Sequence, residues 1–374
     1  MSGIAKTYET TPLPGKDKME EKQLKRNKVT YMLWLSGLLG LLLISITAGV
    51  MLGPVAISPE AVWGIIVSKV PFVNAWITSE WTPAHDHIVW DIRLPRVLLG
   101  AVVGAGLSIV GVAIQALVRN SLADPFILGV SSGASVGATL VILFGAFSVF
   151  GQYALSLAAF LGALVSIVLV FLLAQVNKRI STARLLLAGI AISMILSAVT
   201  SFIVISAPRE EGIRSALYWL MGSLAGGTWG NLWIPLASLV IVFLFLWFQS
   251  RSLNLLLMGE ETAATLGMNI DQFRKILLVI TALLTGVLVA VSGAIGFVGL
   301  MIPHIVRLLI GSDHKRVLPV SALLGAVFLI WADIGARLIA APEEMPIGIL
   351  TALCGGPFFI WLLRRSTYSF GSES

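Results

Sequence analysis

Ten stretches of this chain run for 14 to 25 residues almost without a charge, and the polar residues are crowded between them. Nothing else in the sequence restricts the fold as much. One helical crossing of a bilayer takes about 20 apolar residues. Backbone groups in lipid have to be satisfied within the segment, which leaves helices or closed barrels. The apolar runs are continuous rather than alternating, so they are expected as helices. Charged residues make up 12% of the chain, against about 25% in a soluble domain. The expected class is an all-α polytopic membrane protein.

The spans are expected near 31–52, 97–118, 126–149, 152–176, 185–206, 232–249, 276–294, 296–309, 317–336 and 346–363. The third opens on "SLADPFILGVSSGAS", which suggests a broken or half-inserted entry. The eighth is short and holds Pro303 and His304. Residues 1–30 read as a flexible basic cytoplasmic tail, 31–365 as the ten-helix membrane domain, and 366–374 as a second cytoplasmic tail. With the N-terminus inside, nineteen of the 25 Lys and Arg residues fall on the cytoplasmic side. Without the first tail the ratio is twelve to six, and the bias still supports N-in and C-in. The net charge of +6 therefore reports orientation and does not point to nucleic acid. Two outer loops, 53–96 and 207–231, are substantial, and "IRSALYWLMGSLAGG" in the second suits a short interfacial helix.

Between spans six and seven the chain turns polar for some twenty residues, "LNLLLMGEETAATLGMNIDQFRK" from Leu253 to Lys275. Within it, "GEETAATLG" is a short helix bounded by Gly259 and Gly267. Glu260 and Glu261 lie in its first turn, where the helix dipole favours acids. Leu256, Leu257, Met258 and Leu266 offer apolar contacts at its ends. So short a helix is marginal alone and needs a surface. Membrane-surface helices are usually basic, and this one is acidic, so a protein partner is the better reading.

The sequence holds no G-x-x-x-x-G-K-[ST] loop to cradle a nucleotide, no H-E-x-x-H, and a single cysteine, Cys354. No catalytic residue, metal site or cofactor is assigned. The spans carry no Asp, Glu, Lys or Arg away from their ends, which argues against a proton-coupled carrier but leaves sodium coupling open. Gly100-x-x-x-Gly104 and Gly133-x-x-x-Gly137 suit either close static packing or helices that slide. "HDH" at 85–87 reads as an exposed polar loop, because spacing places no third ligand there. "RLPR" puts Arg93 and Arg96 at the external mouth of span two, and Arg337 ends span nine on the same side. These arginines suit either headgroup phosphates or an acidic partner.

Long stretches of the chain together carry a resemblance. They are "IRLPRVLLGAVVGAGLSIVGVAIQALVRNSLADPFILGVSSGASVG", "STARLLLAG", "LMGEETAATLGM", "GAIGFVGLMIPHIVRLL" and "WADIGARLIAAPEEMPIGILTALCGGPFFIWLLRR". In order, over about 55–365, they resemble the iron-siderophore, haem and vitamin B12 permeases of ATP-binding-cassette (ABC) importers, the FecCD/BtuC-type family.

The resemblance implies a type II ABC importer permease fold with ten helices, in the bacterial cytoplasmic membrane. It implies two permease subunits, identical or paralogous, two ABC ATPase subunits and an extracytoplasmic substrate-binding protein. The chain itself is then no enzyme, since ATP is hydrolysed by the partner. The segment at about 253–273 corresponds to the family's ATPase-coupling helices, with Met258, Gly259, Glu260, Glu261, Ala264, Leu266, Gly267 and Met268 at the contact. Arg93, Arg96 and Arg337 correspond to positions that dock the binding protein. Ser181 and Thr182 correspond to the cytoplasmic gate, where Ala183 replaces a hydroxyl found in some relatives. Siderophore permeases dominate the family, so the cargo implied first is a ferric siderophore, with haem or cobalamin as the alternative. An ion-coupled carrier and a non-transporting receptor are the competing classes.

Overall fold

The structure is a computed structural model that describes residues 16–69, 81–176 and 179–365. It is built almost wholly of helices. The N-terminal part comprises α1 (Lys16–Met51), α2 (Pro59–Ser68), α3 (Pro83–His87), α4 (Leu94–Val118), α5 (Val130–Phe144), α6 (Ala154–Ala174) and α7 (Thr182–Ile205). There follow α8 (Glu210–Leu220), α9 (Trp229–Phe248), α10 (Ser250–Leu257), α11 (Glu260–Thr265), α12 (Ile270–Ser292), α13 (Val298–Ile310), α14 (His314–Ile339) and α15 (Ile347–Arg365). A π-helical turn, Ile88–Arg93, leads into α4. One two-residue antiparallel pair, Gln175–Val176 with Arg179–Ile180, closes the hairpin between α6 and α7.

The ten expected spans correspond to α1, α4, α5, α6, α7, α9, α12, α13, α14 and α15. Seven of the described helical segments are long and apolar enough to cross a membrane by themselves. The segment 16–30, expected as part of a tail, continues α1 as helix; residues 1–15 and 366–374 lie outside the described residues. The two irregular spans behave as their sequences imply. A 3-10 turn, Pro125–Leu128, precedes α5. α13 has 13 residues and rises only about 20 Å. In the non-helical stretch before it Ile295 is buried inside protein, the setting in which irregular backbone is tolerated at membrane depth. The interfacial helix expected in the second outer loop is α8.

α4 is the central post, with 89% of its most apolar 18 residues buried, against 22% for α1 and α9. Its glycines explain how neighbours come so near. A Cβ on Gly104 would strike the Gly325 carbonyl of α14, and one on Gly111 the Gly299 carbonyl of α13. Gly133 and Gly137 of α5 stand likewise against Gly162 and Ala158 of α6. These are backbone-to-backbone contacts of the small-residue kind.

Candidate functional site

Two clusters lie at opposite ends of the bundle. At the external end the structure brings Arg93, Arg96 and Arg337 together, as their loop positions imply. It also turns their charges inward, since all three residues are buried. The reason is the end of α1. An α-helix leaves its last four carbonyls without intrahelical donors. Arg93 donates to Val50 O at 2.9 Å, Met51 O at 3.0 Å and Val55 O at 2.7 Å. Arg337 donates to Gly49 O and Leu52 O, both at 2.9 Å. Two cations thus cap one helix C-terminus, where the dipole also favours positive charge.

Arg96 is held by carboxylates instead. Its Nε and Nη2 donate to Asp333 Oδ1 at 3.0 and 2.9 Å, and its Nη1 donates to Glu344 Oε1 at 2.8 Å. Asp333 Oδ2 stands 3.0 Å from Arg337 Nε as an ion pair. Asp333 and Glu344 had no place in the sequence reading. The signal available was the i,i+4 spacing of Asp333 and Arg337 on one helix face. Among the described residues, only Arg96 of the three arginines is bonded to an exposed carboxylate, Glu344 at 43%.

Beside this network lies an open external vestibule of about 620 Å³, lined by Gln152, Glu211, Arg214, Tyr218, Ser223 and Asn231 among others. Arg214 pairs with Glu343 at 3.0 Å, both about 70% exposed. The Tyr218 hydroxyl and Glu343 raise the Arg214 pKa above its ordinary value. An apolar cavity of about 360 Å³, between α6, α9 and α12, adjoins the vestibule.

At the cytoplasmic end α10 and α11 form the expected polar segment. Gly259 at φ 104° and Gly267 at φ 84° bound α11, conformations that other residues rarely adopt. Leu253, Leu256 and Ala263 are buried against the bundle. Glu260 accepts from Arg274 Nη2 at 2.7 Å and from Arg119 Nη2 at 3.0 Å. These partners, Arg274 first, hold its carboxyl below the usual carboxylate range. Leu257, Met258, Glu261, Ala264 and Leu266 face outward, with Met258 64% and Leu266 63% exposed. The segment therefore presents an apolar-centred surface and is pinned from behind by the ion pairs of Glu260 with Arg274 and Arg119. Met268 is half-buried and packs against the core.

Ser181 caps α7, its Oγ accepting from the Arg184 N–H at 3.2 Å. The side chain of Thr182 lies outside the described residues. Among the described residues no group of three or more His, Cys, Asp or Glu is placed to hold a metal. In the "HDH" loop, Asp86 pairs with Lys69 and His87 with Asp91.

Residues 41–365 match the model of the FecCD transport family. The chain is 48% identical over 277 residues to the cobalamin import system permease protein BtuC of Halobacterium salinarum, covering 74% of this chain and 73% of that one. It is 45% identical over 296 residues to the vitamin B12 import system permease protein BtuC of Escherichia coli (strain K12 / DH10B), covering 78% and 88%. A solved ABC transporter classed as metal-chelate type, in an inward-facing conformation, superposes with a TM-score of 0.76 at 34% identity. That match covers 89% of this chain and 99% of the other.

Proposed function

The chain belongs to the FecCD transport family, and from that premise we propose that it conducts cobalamin inward as the permease subunit of an ATP-driven importer. One observation carries the cargo. The relatives at 48% and 45% identity, from Halobacterium salinarum and Escherichia coli, are named for cobalamin or vitamin B12. The ferric siderophore implied first by the family at large gives way to the alternative. A metal-chelate cargo keeps some support from the solved neighbour at 34% identity.

In this reading the outward face of α10 and α11, from Met258 to Met268, seats the ATPase. The substrate-binding protein docks over the external network. Arg93 and Arg337 shape that rim from within by holding the end of α1. Arg96 is the arginine able to meet a partner's carboxylate, which would take the place of Glu344. Apolar side chains exposed on α7 and α15, such as Phe202 at 71% and Leu353 at 65%, are shared between lipid and a second permease subunit. Ser181 and Thr182 stand at the inner mouth as the gate.

The test is reconstitution in vesicles with an ATPase and a binding protein, measuring uptake of cobalamin and of iron-loaded siderophores. ATP-dependent cobalamin uptake is the expected result. Siderophore uptake without cobalamin uptake would transfer the cargo, and uptake that ignores ATP would end the reading.

A further inference from the structure

The coupling segment and α14 meet through one side chain. Asn254, on α10, donates from Nδ2 to Asp313 Oδ1 at 2.9 Å. A carboxylate only accepts, so this bond fixes which way the amide points. The amide oxygen then faces α14. It accepts from the backbone N–H of His314 at 3.0 Å and lies 2.7 Å from His314 Nδ1. That ring nitrogen therefore carries the proton. Asp313 is itself the N-cap of α14, accepting from the Lys315 N–H at 3.2 Å. His314 is 1% exposed. One amide thus grips the first residue of α14, its cap and a buried ring.

What α14 does next gives the grip a consequence. It runs as one helix from His314 to Ile339. It is locked to α4 where Gly104 and Gly325 touch backbone to backbone. At its far end it carries Asp333 and Arg337, the centre of the external network. At its near end, α10 continues through Gly259 into the ATPase-facing α11.

We propose that Asn254 is a positioning residue that makes the coupling segment and α14 move as one piece. Displacement of α10 and α11 at the cytoplasmic face is then delivered along α14 to the Asp333–Arg337 network at the other face. The inference rests on the ATP-driven reading above.

The experiment uses the reconstituted complex and reads cobalamin taken up per ATP hydrolysed. In Asn254→Ala this ratio is expected to fall at least about fivefold, the size of a modest coupling term. Basal ATPase rate should stay close to that of the unsubstituted complex, while the thermal midpoint falls modestly because the buried His314 loses its acceptor. Asn254→Asp, which sets two carboxylates together, should be as poor. Adding Asp313→Asn to it reverses the donor and acceptor and should restore part of the ratio, since Asp313 Oδ1 both accepts from Asn254 and caps Lys315 and an amide divides those two tasks between two atoms. An unchanged ratio in Asn254→Ala, with normal uptake by the unsubstituted complex, overturns this inference alone. So does a parallel loss of uptake, ATPase and thermal midpoint that the reversed pair fails to rescue, since the amide would then be only structural. If the unsubstituted complex takes up no cargo on ATP, the transport reading falls and this inference with it.

Discussion

Asp333 accepts two hydrogen bonds from Arg96, at 2.9 and 3.0 Å, across 237 residues of sequence. Both side chains are shielded, at 3% and 10% exposure. Removing one member of a buried pair leaves a charge without compensation, at about 3–5 kcal/mol. Asp333→Ala is therefore expected to lower the thermal midpoint in detergent by many degrees. Glu343→Ala, which breaks only the exposed pair to Arg214, should leave the midpoint almost unchanged. Equal midpoints for the two variants would show that the network carries no stability.

Docking is expected to discriminate among the three arginines. Arg96→Lys keeps a charge but loses the fork that serves two carboxylates. It should weaken binding-protein affinity more than tenfold, which is about 1.4 kcal/mol. Glu344→Gln frees Arg96 for the partner and should strengthen it. Affinities measured at low and moderate salt decide the matter, and a Glu344→Gln variant that binds more weakly sinks the exchange of carboxylates.

The coupling helix offers a sharper lesion. Ala264 is exposed, and proline inside a helix costs roughly 3 kcal/mol. Ala264→Pro should reach the membrane at normal levels and lose ATPase association in pull-down. Full cobalamin uptake by this variant would remove α11 from the mechanism.

Glu260 sets a pH window. Its folded pKa lies below the ordinary 4.5, chiefly through the bond from Arg274. A depressed carboxyl contributes stability that is present above the unfolded value and is lost as pH falls through the folded one. Hydrogen exchange over residues 258–268, corrected for intrinsic rate, should thus stay flat from neutral pH down to about 5. Glu260→Gln should exchange faster throughout that range. A wild-type segment that loosens near pH 6 would mean the ion pair does not pin it.

Two glycines on neighbouring helices should behave oppositely. A Cβ on Gly104 meets the Gly325 backbone, while Gly40 has nothing within 4 Å. Overpacking costs about 1–3 kcal/mol. Gly104→Ala should be destabilised by that order, and Gly40→Ala unchanged or slightly better, because alanine favours helix. Thermal midpoints of the two variants check this.

The ten expected spans each meet a helix because a crossing is announced by length and hydropathy, and both are local. Even the broken entry at Pro125 and the short α13 were visible that way. The fate of Arg93, Arg96 and Arg337 was not. Their burial depends on five carbonyls at and just beyond the end of α1 and on a carboxylate in α14, and no loop position reveals that such distant acceptors converge. Asn254 was invisible for the same reason. The cargo was illegible for another, since no single side chain in the spans marks it and only close relatives suggest it.

The burial of α4 bears on how the protein meets membranes of different thickness. Helices that touch lipid answer a thicker or thinner bilayer by tilting or by deforming it. α4 has almost no lipid to answer to. It carries Arg96 near its outer end and is followed by Arg119, whose guanidinium holds Glu260 of α11. The 23 residue steps from Arg96 to Arg119 rise about 35 Å. α4 is thus a ruler enclosed in protein, and it keeps the spacing of the Asp333 network and of α11 constant while the bilayer outside thins or swells.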